Sequence, residues 1–275
     1  MTVDEPPRFS AEEVIQIASK LAVDDATFMI GGQATNLWVW FYKPREPKLQ
    51  TDTPLTSQDV DYFGTREVAK AFAEAIGGTL AVPTMDHMNT VNTAIVHATI
   101  NGKAVIIDFL HSILGVQQSE LRRGVSSIAV EADLDGKTVT AQISVLHPVL
   151  CLKSRVANML SPALKRRDNF AWAQLHAAVI VVQRHIEEEL ANKNWDEVKE
   201  CLRAIFVYLR SDEFGKNVDK ELNVDILEIL RTFQKNTRIE RRYRVFQLKQ
   251  MITKIEKKRA GRRAYAAKPI KIAQI

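Results

Sequence analysis

Read for the spacing of its apolar positions, the chain changes character near residue 146. Before that point helical and strand periods alternate. Ser10-Ala11-Glu12-Glu13 reads as a helix-opening capping box, followed by Val14, Ile17, Ala18 and Leu21 at helical spacing. Residues 26–30 read as a short strand running into Gly31-Gly32, and Ala34 to Tyr42 as a short helix. Lys43 to Gln58 carries Pro44, Pro47 and Pro54 and reads as a loop, within which 44–56 is a proline-rich insertion suited to a surface loop or a lid. Gln58 to Phe63 is a strand, and Arg66 to Ile76 a helix stopped by Gly77-Gly78. Two hairpins follow, 91–100 with 103–110 around Asn101-Gly102, and 125–131 with 137–145 around Asp135-Gly136.

After His147-Pro148 strand signals stop. Residues 148–160, 168–192, 195–210, 219–234 and 238–260 all carry helical spacing. The expected architecture is therefore α+β: a mixed sheet with flanking helices over 1–146, then an all-helical domain over 147–275. In the last of these helices Val245, Phe246, Leu248, Ile252 and Ile255 are expected to share one docking side.

Charge divides the chain differently. Residues 1–146 hold 11 Lys and Arg against 18 Asp and Glu, and 147–234 are balanced. Residues 235–275 hold 14 against 2, so the whole excess of +5 belongs to a basic C-terminal extension. Such a tail suits a polyanionic partner. No apolar run is long enough for a membrane span, and the acidic, proline-containing start is unlike a signal peptide. Cys151 and Cys201 lie in apolar helical patterns and read as reduced, partly buried thiols, and a cytoplasmic protein is expected.

Candidate chemistry centres on Asp59-Val60-Asp61. Alternation along a strand places both carboxylates on one face, where they repel unless a cation lies between them. An all-oxygen donor set suits Mg²⁺ first and Mn²⁺ second. Asp108, within Val105 to Leu110, would be costly to bury without a partner. Asp86-His87 and His111 fall near these positions without a specific role, and His176 and His185 read as packing or surface residues.

Phe28-Met29-Ile30-Gly31-Gly32, Asp59-Val60-Asp61 and Ile107-Asp108-Phe109 together resemble the polymerase-β-type nucleotidyltransferase pattern. Thr56 to Phe63 is similar to the AbiEii-like branch of toxin–antitoxin and phage-defence proteins, as are Lys153 and Arg166-Arg167-Asp168. The resemblance covers roughly residues 25–180. It implies a metal- and NTP-dependent enzyme with Asp59, Asp61 and Asp108 as catalytic metal ligands. Gly31-Gly32 would cradle phosphates, and Ser57, Lys153, Arg167 and Asp168 would bind the nucleotide or its acceptor. With the basic tail, it points to RNA such as tRNA as the acceptor hydroxyl and to a cognate antitoxin as partner. The rival expectations are a small-molecule (aminoglycoside-type) or protein nucleotidyltransferase, and a catalytically silent nucleotide- or protein-binding member of the fold.

Overall fold

In a computed structural model of the chain, the expected alternation of helix and strand becomes one mixed sheet of seven strands. The structure describes residues 9, 11–20, 26–50, 59–84, 90–121, 124–134, 137–164 and 166–266. The chain divides into two compact units, Met1–Arg184 and His185–Ile275. Strands end at Leu146, as the sequence pattern indicates, but the division into compact units falls later. Cys151, Ala177 and Val181 belong to the apolar core of the sheet, so the helices that carry them count with the first unit.

In the first unit the strands are β1 (Phe28–Ile30), β2 (Val60–Phe63), β3 (Thr79–Ala81), β4 (Asn92–Ile100), β5 (Lys103–Leu110), β6 (Val125–Leu134) and β7 (Lys137–Leu146). Their spatial order is β3-β4-β5-β2-β1-β7-β6. The hairpins β4–β5 and β6–β7 are antiparallel, whereas β2 runs parallel to β5 and β1 parallel to β7. Asn101 (φ 52°) and Gly102 (φ 76°) both take the left-handed conformation that a tight hairpin turn demands. The Asp135-Gly136 turn lies outside the described residues, as do Ser10 and Leu21 of the first expected helix. Strand β3 is too short and too exposed to carry a legible alternation.

Helices α1 (Ala11–Ala18), α2 (Gly31–Tyr42), α3 (Arg66–Ile76), α4 (Gln118–Leu121), α5 (Pro148–Leu160) and most of α6 (Asn169–Ala191) complete the unit. α2 begins at Gly31 itself, three residues before the apolar spacing becomes regular. It is buried on almost every side, and Trp38 Nε1 donates to the Leu146 carbonyl at 2.9 Å. Trp38 and Tyr42 are core residues, while Trp40 and Phe41 are half-buried and line a cavity of 710 Å³. Thr65 caps α3 through Val68 N–H, and Gly77 closes it in the left-handed conformation.

The second unit is helical throughout its described residues: the end of α6, α7 (Trp195–Ser211), α8 (Glu213–Glu221), α9 (Leu227–Lys235) and α10 (Lys249–Ala266). The single helix expected over 219–234 is two helices. Asp212 starts α8 early by accepting from Phe214 and Gly215 N–H, and Asn223 (φ 54°) lies in the break that follows. Ahead of α10, Tyr243–Leu248 form a π-helical segment. That wider turn shifts the phase of the apolar positions, so Leu248, Ile252 and Ile255 are buried while Val245 and Phe246 face solvent. The shared docking side expected of all five is thereby corrected. Both cysteines are buried thiols outside any disulfide. Among the described residues no helix is long and apolar enough to cross a membrane.

Candidate active site

The register of β2 against β5 decides the geometry. Asp61 pairs with Asp108 and Val60 with Ile107 across the parallel seam, and β1 lies on the other side with Ile30 opposite Asp61. Neighbouring strands lie about 4.8 Å apart, so Asp61 and Asp108 stand side by side on one sheet face. Asp59 precedes β2 by one residue. Val60 and Tyr62 are fully buried, and Asp59, Asp61 and Phe63 are less so, the alternation expected of the strand. Tyr62 is held by stacking on Phe109 (5.6 Å) and by Phe72 (5.9 Å).

β5 holds a correction to the plain reading of its apolar run. Val105, Ile107 and Phe109 are buried, but Ile106 is 46% exposed and Asp108 is only half-buried. An unbroken hydrophobic sequence here hides a two-faced strand, and Asp108 occupies the more open face.

The three carboxylates act on one another. Burial, then Asp108 and Asp59, push the Asp61 carboxyl up to about 7, with Arg155 and Arg166 opposing. Burial and Asp59 also raise Asp108, and His97 opposes them weakly. Asn92 donates to Asp108 Oδ1 at 3.1 Å, next to a shift in the β4–β5 register between Asn92 and Ala94. Carboxylates this close favour protonation or a bound cation over the fully charged set.

Gly31 presses on this cluster. Its φ is +69°, and a Cβ placed there would lie 2.0 Å from Asp61 Oδ2. Glycine is thus required twice, for the backbone angle and for the space the carboxylate occupies. Gly32 is buried in the first turn of α2, whose N-terminus has no side-chain cap. Its first-turn N–H groups are therefore not consumed by a capping side chain.

Of the other expected residues, Ser57 lies outside the described residues, as do Asp86 and His87. Lys153 on α5 is buried and meets both carboxylate oxygens of Glu120 at 2.8 and 2.6 Å. Arg167 Nε donates to the Met159 carbonyl at 3.2 Å, and Asp168 accepts from Ala171 N–H at the start of α6. Arg167 and Asp168 thus hold the connection between α5 and α6, and it is Arg166 whose charge reaches Asp61.

The cation that sequence reasoning passed over is Arg155. It is buried on α5 and donates from Nη1 to Gln174 Oε1 (3.0 Å) and from Nη2 to Ser154 Oγ (3.4 Å). Gln174 in turn donates to Asn36 on α2. Arg155 Nε has no hydrogen-bond partner among the described residues. Burial pulls the guanidinium down, and Cys151 and Asp61 oppose that pull. An arginine inside the apolar stretch Val149 to Met159 was the available signal.

The Lys153–Glu120 pair should prove strongly coupled. Lys153→Met and Glu120→Gln are each expected to lower stability by about 2 kcal/mol, because each leaves a charge without its partner. The double substitution should cost clearly less than the sum in a denaturation double-mutant cycle. Additive losses would show the contact to be worth nothing.

Three oxygen donors, with a buried guanidinium beside them, fit a hard divalent cation carrying an anionic ligand. The second unit holds a different donor set. His185, Glu197 and Cys201 each present a donor atom within 4.8 Å of the others. Cys201 Sγ donates to Glu197 Oε1 at 3.0 Å, and His185 Nε2 lies 3.4 Å from the same oxygen. These are nitrogen, sulfur and oxygen donors in mutual hydrogen bonds, unlike the oxygen set expected for Mg²⁺. Comparisons with protein-family models, with curated proteins and with solved structures give no match to this chain.

Proposed function

We propose that the chain is a metal-dependent nucleotidyltransferase of the polymerase-β-like type, transferring a nucleoside monophosphate from an NTP to a hydroxyl. The observation that carries this reading is the seam that puts Asp61 beside Asp108, with Asp59 coupled to both and Gly31 packed against Asp61. Asp59, Asp61 and Asp108 would hold Mg²⁺ or Mn²⁺. Divalent metal in such a site lowers the pKa of the attacking hydroxyl and offsets charge on the leaving oxygen.

The protein's own groups supply the rest. The uncapped N-terminus of α2 offers N–H groups and a partial positive charge to the triphosphate. Arg155 and Arg166, whose charges act on Asp61, would supply the positive potential first expected of Lys153, which is paired with Glu120. In the transfer, the acceptor oxygen forms a bond to the α-phosphorus and the bond to pyrophosphate breaks. The hydroxyl proton passes to Asp108, which Asn92 holds by one oxygen. RNA such as tRNA is the proposed acceptor, in keeping with the basic C-terminal extension, and a cognate antitoxin the proposed partner in a cytoplasmic toxin–antitoxin or phage-defence setting.

The test is incubation with each labelled NTP, Mg²⁺ or Mn²⁺, and total RNA, with the Asp59→Ala/Asp61→Ala protein as control. Label on RNA only with intact aspartates is the expected result. Label on a small molecule or on protein would move the acceptor class, and no transfer with either metal would overturn the enzyme reading. Mg²⁺ alone should raise the Tm of the native protein and leave that of the double variant unchanged.

A further inference from the structure

The basic extension is not uniformly free to meet a polyanion. Arg231 of α9, just ahead of it, meets Asp225 (2.8 Å), Glu228 (3.3 Å) and Glu256 of α10 (2.9 Å), and Arg259 within it meets Asp219 (3.2 Å) and Asp225 (2.7 Å). Lys258 donates to the Arg210 carbonyl, and Arg262 to that of Lys216. These cations fasten α10 to its own unit. A different group surrounds a cavity of 510 Å³ between the start of α7 and the turn that follows α9.

Lys199, Arg238, Arg241 and Arg244 line that cavity, with Glu240 as its one carboxylate and with Trp195 and Tyr243 as its aromatic surfaces. Arg244 has a structural task, donating to the carbonyls of Ile239 and Gln234. It fixes the turn together with Asn236, whose side chain accepts from Arg238 N–H. The Arg238 and Arg241 side chains are exposed and make no ion pair among the described residues. Lys199 has only a loose contact, 3.7 Å to a fully exposed Asp196. Trp195 is half-buried and lines the cavity.

We infer that this cavity binds a nucleotide of single-stranded RNA, its base stacked on Trp195 and its phosphates met by Lys199, Arg238 and Arg241. The volume falls in the small-ligand range of roughly 300–1,000 Å³. Open guanidinium groups beside an indole surface are the combination that single-stranded nucleic acid requires, charge for the backbone and a flat apolar face for a base. A double helix presents no free base to such a recess. The π-helical segment also leaves Phe246 (61%) and Val245 (44%) exposed on the same unit. The inference deepens the proposed function by giving its RNA acceptor a place on the second unit.

The test measures binding of a fluorescent 12-nucleotide single-stranded RNA to the full-length protein across a salt series, without NTP or divalent metal. Arg238→Gln/Arg241→Gln is expected to weaken binding about tenfold and to flatten the salt dependence by about 1.4 in log–log slope, two phosphate contacts at about 0.7 each. Trp195→Ala should weaken binding about tenfold and Trp195→Phe far less, since a ring remains for stacking. Circular dichroism of each variant reports retained folding. An unchanged affinity and slope in the double arginine variant would overturn the inference. So would equal competition by inorganic polyphosphate with no effect of Trp195→Ala, which describes an anion patch without base recognition. Because no transfer is measured, catalysis by the aspartates can fail while this binding persists, and the reverse.

Discussion

Asp61→Asn is expected to stabilise the protein above neutral pH while abolishing nucleotidyl transfer. The carboxyl is pushed up to about 7 by burial and by Asp108 and Asp59. An unfolded aspartate titrates near 3.9, so between those values the folded chain binds more protons than the unfolded one. Stability is therefore fullest below about pH 4 and is lost as pH rises through about 7. The loss is on the order of 4 kcal/mol for a shift of this size. Asparagine keeps the shape without the charge. In EDTA, the stability difference between variant and native protein should be near zero at pH 4, grow through pH 7 and then level off. Denaturation at several pH values measures it directly, and a difference flat in pH would show that Asp61 is not under this load. Transfer should fall at least a thousandfold at every pH, because the charge that destabilises the fold is the one that holds the metal.

Gly31→Ala should damage both the fold and the carboxylate cluster. The left-handed angle alone costs an alanine about 1 kcal/mol, and here the methyl would also occupy the position of Asp61 Oδ2. Gly77 supplies the control, since its φ is +67° and a Cβ there meets nothing within 4 Å. Gly77→Ala is therefore expected to cost about 1 kcal/mol and to leave transfer intact. Gly31→Ala should cost about 3 kcal/mol and lower transfer more than a hundredfold, because the displaced group is the central carboxylate. If the two substitutions lower Tm equally and both keep activity, the close packing of Gly31 on Asp61 has no functional meaning. Removing the obstruction gives a further check: on an Asp61→Ala background Gly31→Ala should cost little more than the backbone term.

Much of this site is legible in the sequence because it rests on strands. Alternation with period two placed Asp59 and Asp61 on one face, and the turn signal at Asn101-Gly102 fixed β4 against β5. What alternation does not reveal is pairing between distant strands. The Asp61–Asp108 register depends on which strand lies beside β2, and local spacing carries no record of it. The cations show the same limit. Lys153 was singled out by the family resemblance, but its partner Glu120 is 33 residues away and belongs to a four-residue helix with no periodic signal. Arg155 had an equal claim by sequence, and only three-dimensional packing sets it, rather than Lys153, against Asp61. The π-helical turn at Tyr243–Leu248 defeated an extrapolation at 3.6 residues per turn for a related reason: one wider turn rephases everything that follows.

The parallel seam between β2 and β5 also has a kinetic consequence. Each antiparallel hairpin closes over a turn of a few residues, whereas Asp61 must find Asp108 across the chain that forms α3, β3 and β4. Long-range parallel pairing is the slow event in folding such a sheet. It is also the event that creates the carboxylate repulsion. The seam should therefore form after the β4–β5 hairpin and open before it, so that its amides exchange with solvent faster than those of β4 against β5. Divalent metal should close that gap in exchange rate, tying closure of the seam to ligand loading.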